Sequence, residues 1–408
     1  MADSGSAAGG RAPTEAPGWA DVCARRLSRH FLDRPAAAGR VPDVVAAMGG
    51  AHAQVMSAAE LSVGLRTEGT TRQDVRDALW EERTLVKTFG PRGTVHLLPA
   101  AELPLWTAAL SAVPMPASVL DRSARLDGRQ TDEVVEAIAA ILREGEPLTV
   151  DELSEAVIAR TGDWAADPVM PAFTGMWPRW RQALHVAAHR GALCFGPNRG
   201  RKTTYTSPDR WLPGPADGVP HPTDPERALA ELVRRYLRSY GPARPRDFAR
   251  WLSAPRPWAT GLFASLGDEL RPVAPEFATP GDDMYELADE PAYPAEPPAP
   301  TVRLLPYFDA YLVGSQPRQL IHPGRAAERA LSATGQAGTT QAVTVGGEVA
   351  GLWHQKRSGR KLALTVELFG RSTRKRRAEV EAQAERVGEI LEAVHTLTFG
   401  PVEAGKHL

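Results

Sequence analysis

The sequence is poor in the residues that mark several protein classes. Only two of its 408 residues are cysteine, Cys23 and Cys194, and they stand far apart in apolar stretches. That count excludes a disulfide framework and a cysteine-rich zinc site, and it indicates a reducing compartment. No apolar run is long enough to span a membrane, and the N-terminal residues lack the apolar core of a signal peptide. The sequence therefore predicts a cytoplasmic protein with no membrane partner.

Neither sign of charge is in excess. Lysine and arginine together number 48, against 49 aspartate and glutamate residues, so a nucleic-acid surface would have to come from local clusters of cations. Hydrophobic residues make up 43% of the chain, and its length fits about two to four domains. The small and polar residues 1–17 predict a disordered tail.

Signals for helices and hairpins recur along the chain in one order. The first stretch has helices at 19–32, 41–48, 61–66 and 70–82 and strands at 84–89 and 94–98, joined by a turn at 90–93. The second has helices at 132–144, from 148 onward and at 176–190, and strands at 192–195 and 203–206. The third has helices at 225–240, 245–252 and 257–266 and strands at 270–273 and 284–287. Helices followed by a hairpin outline a winged helix (helix-turn-helix), so we predict tandem winged-helix domains at 18–125, 126–220 and 221–290.

The pattern changes to strands after an acidic, proline-rich stretch at 288–300, which predicts a linker. Gly346-Gly347 is typical of a hairpin turn, and a helical stripe over 378–395 predicts a final helix. Strands are predicted at 302–305, 341–345, 349–354 and 361–368. Residues 291–408 are thus expected to form a β-rich module, which makes the chain an α+β protein.

His52 and Gln54 bring two hydrogen-bonding side chains together after a break at Gly49-Gly50. In an extended segment, side chains two residues apart point to the same side, whereas entering a helix they would diverge by about 200°. Two interpretations follow from the residues alone. Either the pair caps the helix that follows, or it belongs to a site that positions a reactant.

Cations gather in turns and loops of the expected fold. A glycine-rich tip at 196–202 fits a wing whose backbone approaches phosphate. The basic run at 371–377 fits either a solvated charged stretch or a phosphate-contacting patch. The candidate DNA-binding residues come from the first hairpin turn, the glycine-rich tip and the basic run. They are Arg92, Arg199, Arg201, Lys202, Arg371, Arg374 and Lys375.

Other chemistry-bearing residues fit structural roles. His185 and His189 have the spacing of a helical metal pair but lack the glutamate of the metalloprotease motif, which favours a packing role. Asp309 follows an apolar run and is interpreted as a turn residue. The sequence has no phosphate-binding loop, dinucleotide fingerprint or nucleophile elbow, and we expect neither a metal nor a cofactor.

Five segments, in order, carry a resemblance to a known family. They are 90–99 (GPRGTVHLLP), 190–211, 240–251 (with YGPA and DFARW), 303–314 (RLLPYFDAYLVG) and 345–353. Together they resemble the AlkZ/YcaQ-like winged-helix DNA glycosylases of bacteria over nearly the whole chain beyond the tail. The resemblance implies tandem winged helices and a β module wrapped as a C-shaped clamp on double-stranded DNA that carries alkylated bases. It also implies excision of N7-alkylated purines. Some members remove bulky adducts or unhook interstrand crosslinks made by antibiotics, which protects the producing strain.

The family's catalytic motif is Gln-x-Gln or Gln-x-Asp, and its place is taken here by His52-Ala53-Gln54. Gln54 matches the second position, whereas His52 departs from the first. That departure leaves two possibilities open. The protein belongs to a subgroup with an altered lesion preference, or it is a member that binds DNA without cutting it. We expect His52 to act as a base or to orient water, because an unprotonated imidazole can accept a proton, and Gln54 to fix the water.

Two other functions stay open on the residues. A non-catalytic winged-helix protein, such as a transcription regulator or a lesion binder, would more often be a dimer that reads one operator. A glycosylase should instead bind with little sequence preference and strong salt dependence, and a monomer is expected. A metal-dependent nuclease is disfavoured because the sequence lacks a suitable acidic cluster.

Overall fold

The computed structural model describes residues 16–114, 120–172, 175–212, 224–278, 283–294 and 299–403. The predicted disordered tail therefore lies outside the described residues, apart from Ala16 and Pro17. Within the described ranges, no helix is both long and apolar enough to cross a membrane.

The first repeating unit has the strand order of a winged helix. Its elements are α1 (Trp19–Arg29), α2 (Val41–Ala47), β1 (Ala51–His52), α3 (Met56–Gly64), α4 (Arg72–Trp80), β2 (Leu85–Phe89), β3 (Val95–Pro99) and α5 (Leu103–Ser111). The short β1 pairs antiparallel with β3, which also pairs with β2, so the sheet order is β1-β3-β2. Helices α2 to α4 were expected from sequence, but β1 is too short to give a strand pattern.

The second unit repeats this order. Its elements are α6 (Gly128–Glu144), β4 (Leu148–Thr149), α7 (Val150–Thr161), β5 (Pro168–Pro171), β6 (Met176–Pro178), α8 (Leu184–His189), β7 (Cys194–Arg199), β8 (Lys202–Thr206) and α9 (Pro208–Trp211). The sheet order is β4-β8-β7, again with the first strand beside the last.

The helix predicted over residues 176–190 is wrong in its first half. Met176–Pro178 forms β6, a 3₁₀ turn covers Arg179–Ala183, and α8 occupies only Leu184–His189. Proline disfavours helical geometry at the residue before it, which here is Trp177, so the apolar spacing of the tryptophans does not extend the helix. The backbone N–H of Arg179 instead donates to the Asp167 carbonyl at 2.8 Å.

The third unit agrees with its sequence prediction almost to the residue. Its elements are α10 (Pro225–Tyr240), α11 (Pro245–Leu252), α12 (Arg256–Ser265), β9 (Leu270–Val273) and β10 (Met284–Leu287). Proline at the first helical position sets the starts of α10 and α11. Ala243 bridges to Tyr285 in β10, so a single residue takes the place that β1 and β4 hold in the other units.

The C-terminal module is built on a five-stranded sheet in the order β11-β12-β13-β14-β15. Its elements are β11 (Val302–Leu305), α13 (Ala310–Gly314), α14 (Arg318–Ile321), α15 (Arg325–Ala330), β12 (Ala342–Val345), β13 (Glu348–Ser358), β14 (Lys361–Leu368), α16 (Arg374–Ile390) and β15 (Val394–Phe399). The mixture of helices and sheets confirms the α+β class.

The last helix ends earlier than residue 395, where it was predicted to end. It stops at Ile390, Glu392 takes a left-handed turn with φ 50°, and β15 then pairs parallel with β14. The side chain of Val394 continues the apolar spacing of α16 in sequence, yet it is 69% exposed. The turn at Glu392 therefore ends the helix, although the apolar spacing in the sequence continues beyond it.

Buried arginines connect the units to the module. Arg26 of α1 donates to the carbonyls of Pro242 (2.9 Å) and Gln316 (2.6 Å). Arg386 of α16 donates to the Gly64 carbonyl at the end of α3, at 3.0 Å. The described part of the predicted linker lies against α1, because Tyr293 stacks under the guanidinium of Arg25 at 3.3 Å. The boundaries given above for the domains stay a prediction.

Candidate active site and DNA-contacting residues

His52 ends the short strand β1, and Gln54 lies in the bend that follows it. Ala51 and Ala53 are fully buried, whereas His52 is half-buried and Gln54 exposed, so burial alternates along the segment. The backbone N–H of Ala53 donates to the Val95 carbonyl at 2.7 Å and continues the pairing of β1 with β3. The extended interpretation is confirmed up to His52, and the shared side of the two side chains stays a prediction.

The interpretation of the pair as a helix cap is wrong. Helix α3 begins after Val55, and no described side chain makes a capping hydrogen bond at that start. The two polar side chains are thus left outside the helix, and a role for them has to be sought on the surface they face.

His52 lies between two rings from distant parts of the chain. His96 on β3 is its cross-strand partner, with ring centroids 5.2 Å apart and an interplanar angle of 77°. Phe308 of the C-terminal module approaches from the other side, with its ring centroid 4.6 Å away. Neither neighbour could be expected from the sequence, because each depends on the pairing of segments far apart along the chain.

The tautomer of His96 is fixed by its surroundings. Its Nδ1 lies 2.8 Å from the Thr94 carbonyl, which can only accept, so Nδ1 carries the proton and Nε2 is bare. Burial, followed by the neighbouring charges of His52 and Arg92, holds the pKa of His96 well below its usual range. Gly90 packs so tightly on the ring that a Cβ there would lie 2.9 Å from the His96 Cγ. His96 is therefore a neutral and immobile neighbour of His52.

A buried ion pair holds the C-terminal module on α3. The carboxylate of Asp309 accepts from both terminal nitrogens of Arg66 at 2.8 and 2.9 Å, and it also accepts from the Ser62 hydroxyl. Both charged side chains are 0% exposed. Burial alone would raise the pKa of Asp309, but the charge and hydrogen bonds of Arg66 keep that pKa below its ordinary value. Asp309 also caps α13, so the turn interpretation covers only part of its role.

Phe308 precedes this aspartate and is held in a fixed backbone geometry. Its φ is 55°, in the left-handed region, and its N–H donates to the Gly338 carbonyl at 2.8 Å. The Asp309–Arg66 pair and this hydrogen bond together place the ring against His52. The strained conformation is compatible with a positioning role at the site.

Arg92, predicted to bind DNA, points partly inward. It has φ 62° in the turn between β2 and β3, and it donates to the Trp251 carbonyl of the third unit at 2.7 Å. Burial lowers the pKa of Arg92 to about 10. The sequence could not show that this turn packs on α11.

Two of the three cations on the second wing are paired. Arg199 donates to the Glu152 carboxylate at 2.7 Å, and Lys202 donates to the Asp151 carboxylate at 2.8 Å. Arg201 is exposed and forms no ion pair with any residue that the structure describes. The wing tip therefore carries less free positive charge than its sequence indicates.

The basic run lies at the start of α16. Arg371, Arg374 and Lys375 are exposed, and Lys375 is 4.0 Å from Glu379. Cations in the first turn of a helix are disfavoured by the helix dipole. Their presence there favours an anionic partner outside the protein over a role in stabilising the helix.

His185 and His189 face each other at a ring distance of 5.8 Å. The Nε2–H of His189 donates to the Gly90 carbonyl at 3.3 Å, and burial lowers the pKa of His189 to about 4. Over the described ranges, no three histidine, cysteine, aspartate or glutamate residues come together as metal ligands. The pair packs on the first hairpin turn, as the packing interpretation expected.

Comparisons with known proteins bear on this site. The family model for DNA glycosylase AlkZ-like proteins matches residues 45–390, which include both the β1 segment and the C-terminal module. A protein of Streptomyces sahachiroi named interstrand DNA cross-link repair glycosylase is 34% identical over 358 residues, covering 82% of this chain and 87% of that protein. The solved structure of Streptomyces sahachiroi DNA glycosylase AlkZ superposes with a TM-score of 0.74 at 29% identity, covering 95% of this chain and 100% of that one. The chain belongs to the AlkZ-like family of DNA glycosylases.

Proposed function

We propose that this glycosylase hydrolyses the N-glycosidic bond of N7-alkylated purines in double-stranded DNA, including bulky or crosslinked adducts of genotoxins. The observation that carries the proposal is the placement of His52 at the end of β1 between the rings of His96 and Phe308, with Gln54 two residues further on and no side-chain cap at the start of α3. Its biological setting is base excision repair, including the self-protection of an antibiotic producer.

The chemistry requires little from the departing base. An N7-alkylated guanine is cationic and leaves with the bonding electron pair as a neutral base, so it needs no added proton. The protein must place a water at C1′ and stabilise a sugar with oxocarbenium character, which depends on positioning and electrostatics.

His52 is suited to take the proton from that water. Its ring is held between the rings of His96 and Phe308, which fixes its orientation. A glutamine at this position could hold a water but could not accept its proton, whereas an unprotonated histidine can do both. Gln54, exposed two residues further along the chain, supplies an amide to hold the water or the sugar phosphate.

DNA contact is assigned to the exposed cations. Arg201 on the second wing and the basic run at the start of α16 offer charge that no described carboxylate fully neutralises. Phosphate contacts of this kind bind with little sequence preference and weaken with salt. We expect a monomer, because three winged units and a module supply an extended surface from one chain.

Repair of interstrand crosslinks is part of the proposal. It is supported by the name of the Streptomyces sahachiroi relative, an interstrand DNA cross-link repair glycosylase. A site that reaches C1′ without enclosing the base would tolerate a large substituent, unlike a snug base pocket.

The test is an excision assay on duplex DNA that contains N7-methylguanine. His52→Ala and Gln54→Ala should each lower the rate of abasic-site formation by about 10²- to 10⁴-fold, the usual range for a general base. Ser57→Ala, an exposed change in the first turn of α3, should leave the rate unchanged.

His52→Gln separates proton transfer from water positioning. It restores an amide at this place, so it should recover part of the rate and flatten the acid side of the pH profile, because an amide does not titrate. Full activity in His52→Ala would disprove the assigned role. Tight DNA binding without abasic sites on any lesion would instead support the non-catalytic DNA-binding function, which the replacement of the first glutamine favours.

A further inference from the structure

A cavity of about 970 Å³ lies between the first and second units and beside the end of α11. Arg92 and Gly93 of the first hairpin turn form part of its wall. On one side of that turn, Gly90 packs on His96, the neighbour of His52. On the other side, Gly93 lies against His185, which lines the cavity. The cavity therefore begins one hairpin turn away from the catalytic pair.

The cavity wall is mainly apolar. Its size is at the upper end for small-molecule sites, which hold about 300 to 1,000 Å³. The apolar side chains come from all three units: Leu110, Val113, Leu126, Met170, Val186 and Leu252. An aqueous crevice would be expected to have a more polar wall, so these residues indicate an apolar occupant.

Two arginines in the wall have no described carboxylate within ion-pair distance. Arg92 bonds only a carbonyl, and Arg181 stacks on Trp177 at 4.1 Å with its Nε buried and unpaired. Neither forms an ion pair with a described carboxylate, whereas Arg190, which also lines the cavity, is paired with Asp132 at 2.7 Å. A partly buried cation without a partner is costly, so the site favours a ligand that brings acceptor or anionic oxygens.

The histidines of the wall do not add positive charge. Burial lowers the pKa of His185 and brings that of His189 to about 4, so both are neutral near pH 7. The positive charge of the cavity wall therefore comes from its arginines alone.

From these features we infer that the cavity binds the substituent carried on N7 of the damaged base: an apolar, ring-containing group with acceptor or anionic oxygens. The inference rests on the proposed function. In a purine, only C8 separates N7 from N9, the atom that carries C1′, so a substituent on N7 begins near the bond that breaks and extends away from it. A site for a large N7 substituent should therefore be close to the catalytic pair but separate from it. A methyl group is far too small to use this volume, so the cavity governs preference for large lesions and is not needed for small ones.

The test uses two matched glycine variants. Gly128 lines the cavity at the start of α6, and Gly261 lies in α12 away from it. Both are exposed, and a Cβ added at either meets no atom within 4 Å. Gly128→Phe adds a ring at the cavity wall from a position where the Cβ has space, and Gly261→Phe is the control. Val186→Phe adds a second ring to the cavity wall, from α8.

Each variant is assayed on three lesions in the same duplex. They are N7-methylguanine, the N7-guanine monoadduct of aniline mustard, which carries a benzene ring, and that of chlorambucil, which carries the ring and a carboxylate. Gly128→Phe should lower excision of both ring-bearing adducts by about tenfold or more, since lost contacts worth about 1.4 kcal/mol reduce a rate tenfold. Excision of N7-methylguanine should stay within about twofold of wild type. Arg181→Gln should affect the chlorambucil adduct most.

An equal fall on all three lesions would show that the cavity takes the DNA itself and would overturn the inference, as would unchanged excision of the ring-bearing adducts. A wild type that excises none of the three would refute the proposed function, not the cavity.

For that case, binding of free 1-pyrenebutyrate, an aromatic ring system with a carboxylate, is measured by fluorescence anisotropy. Saturable binding that is lost in Gly128→Phe, weakened in Arg181→Gln and kept in Gly261→Phe supports the cavity assignment without any catalysis. Absent binding, or equal binding in Gly128→Phe, overturns it.

Discussion

The three winged units differ at one point, the passage from the first strand to the next helix. In the second unit, Thr149 ends β4 and at once caps α7: its hydroxyl accepts from Glu152 N–H, and the Glu152 carboxylate accepts from Thr149 N–H at 2.7 Å. In the third unit, Asp247 accepts from the Arg244 N–H at 3.1 Å and closes the start of α11 in a similar way. In the first unit, residues 53–55 separate β1 from α3, and no described side chain caps the helix.

The difference teaches where a repeat can host chemistry. A side-chain cap stabilises a helix by roughly 1 kcal/mol, and the first unit does without it. Besides its packing within the unit, α3 is held from outside at its C-terminal end, through the pair of Arg66 with Asp309 and the bond of Arg386 to the Gly64 carbonyl. His52 and Gln54 are thus not used as a helix cap, and such a departure from a local rule is expected at a functional site.

The largest effect is expected from removing the buried ion pair between Asp309 and Arg66. Asp309→Ala leaves the fully buried charge of Arg66 unpaired and should lower the free energy of unfolding by about 3 to 5 kcal/mol in urea denaturation. Asp43→Ala, which breaks the exposed Arg40–Asp43 pair, should cost less than about 1 kcal/mol. Similar losses in the two variants would mean that the first unit is held by other contacts.

Acid should loosen the junction of the first and second units. The folded protein keeps His189 neutral with a pKa of about 4, against about 6.5 in an unfolded chain, so its contribution is complete above pH 6.5 and is lost as pH falls toward 4. His189→Gln keeps an N–H for the Gly90 carbonyl but cannot titrate. Urea denaturation at pH 7 and pH 4.5 should show an acid loss that is smaller in this variant by about 1 to 2 kcal/mol. Equal acid losses would contradict the assignment.

A methyl group at Gly90 tests how closely His96 must be held. The Cβ of Gly90→Ala would lie 2.9 Å from the His96 Cγ, so the ring must shift, at about 1 to 2 kcal/mol in stability. Excision of N7-methylguanine should fall by about tenfold, because a displaced His96 disorients His52. Gly128→Ala, where an added Cβ meets nothing within 4 Å, is the control. A stability loss with unchanged excision would remove His96 from the site.

The cap of the second unit should matter for stability alone. Thr149→Ala removes the hydroxyl that caps α7 and should lower the free energy of unfolding by about 1 kcal/mol. The excision rate of the remaining folded protein should equal that of wild type. A fall in the rate constant itself, measured well below the unfolding midpoint, would mean that the second unit takes part in catalysis.

The smallest effect should separate the cations of the second wing. If Arg201 contacts a phosphate, Arg201→Ala should reduce the slope of log affinity against log salt by about 0.9. Arg199→Ala should change the slope less, because its guanidinium already bonds Glu152. The slopes follow from fluorescence anisotropy with a labelled undamaged duplex. An equal change in both variants would mean that DNA displaces the carboxylate.

Local signals explain which parts of the fold were predictable. The prolines that open α10 and α11 mark the starts of these helices, and the order of elements in the repeat led to β9 and β10. The strands β1 and β4 have two residues each, too few for any pattern. The turn at Glu392 broke an apolar spacing that continued in sequence.

The site was predictable only in part, for a related reason. His52 and Gln54 stand together in sequence, so their proximity could be derived. The partners of His52 could not, since His96 depends on strand register and Phe308 on the docking of another module. The carboxylates that pair with Arg199 and Lys202 were likewise invisible, because they come from α7.

The ring of Phe308 against His52 also has a consequence for the order of events during synthesis. A ribosome that has released the three winged units has made His52 and Arg201, but neither Phe308 nor the basic run at the start of α16. A nascent or truncated chain therefore holds the pair His52 and Gln54 without the ring that packs on His52. If that ring positions His52, as proposed, excision should begin only after the last module has docked on the first unit.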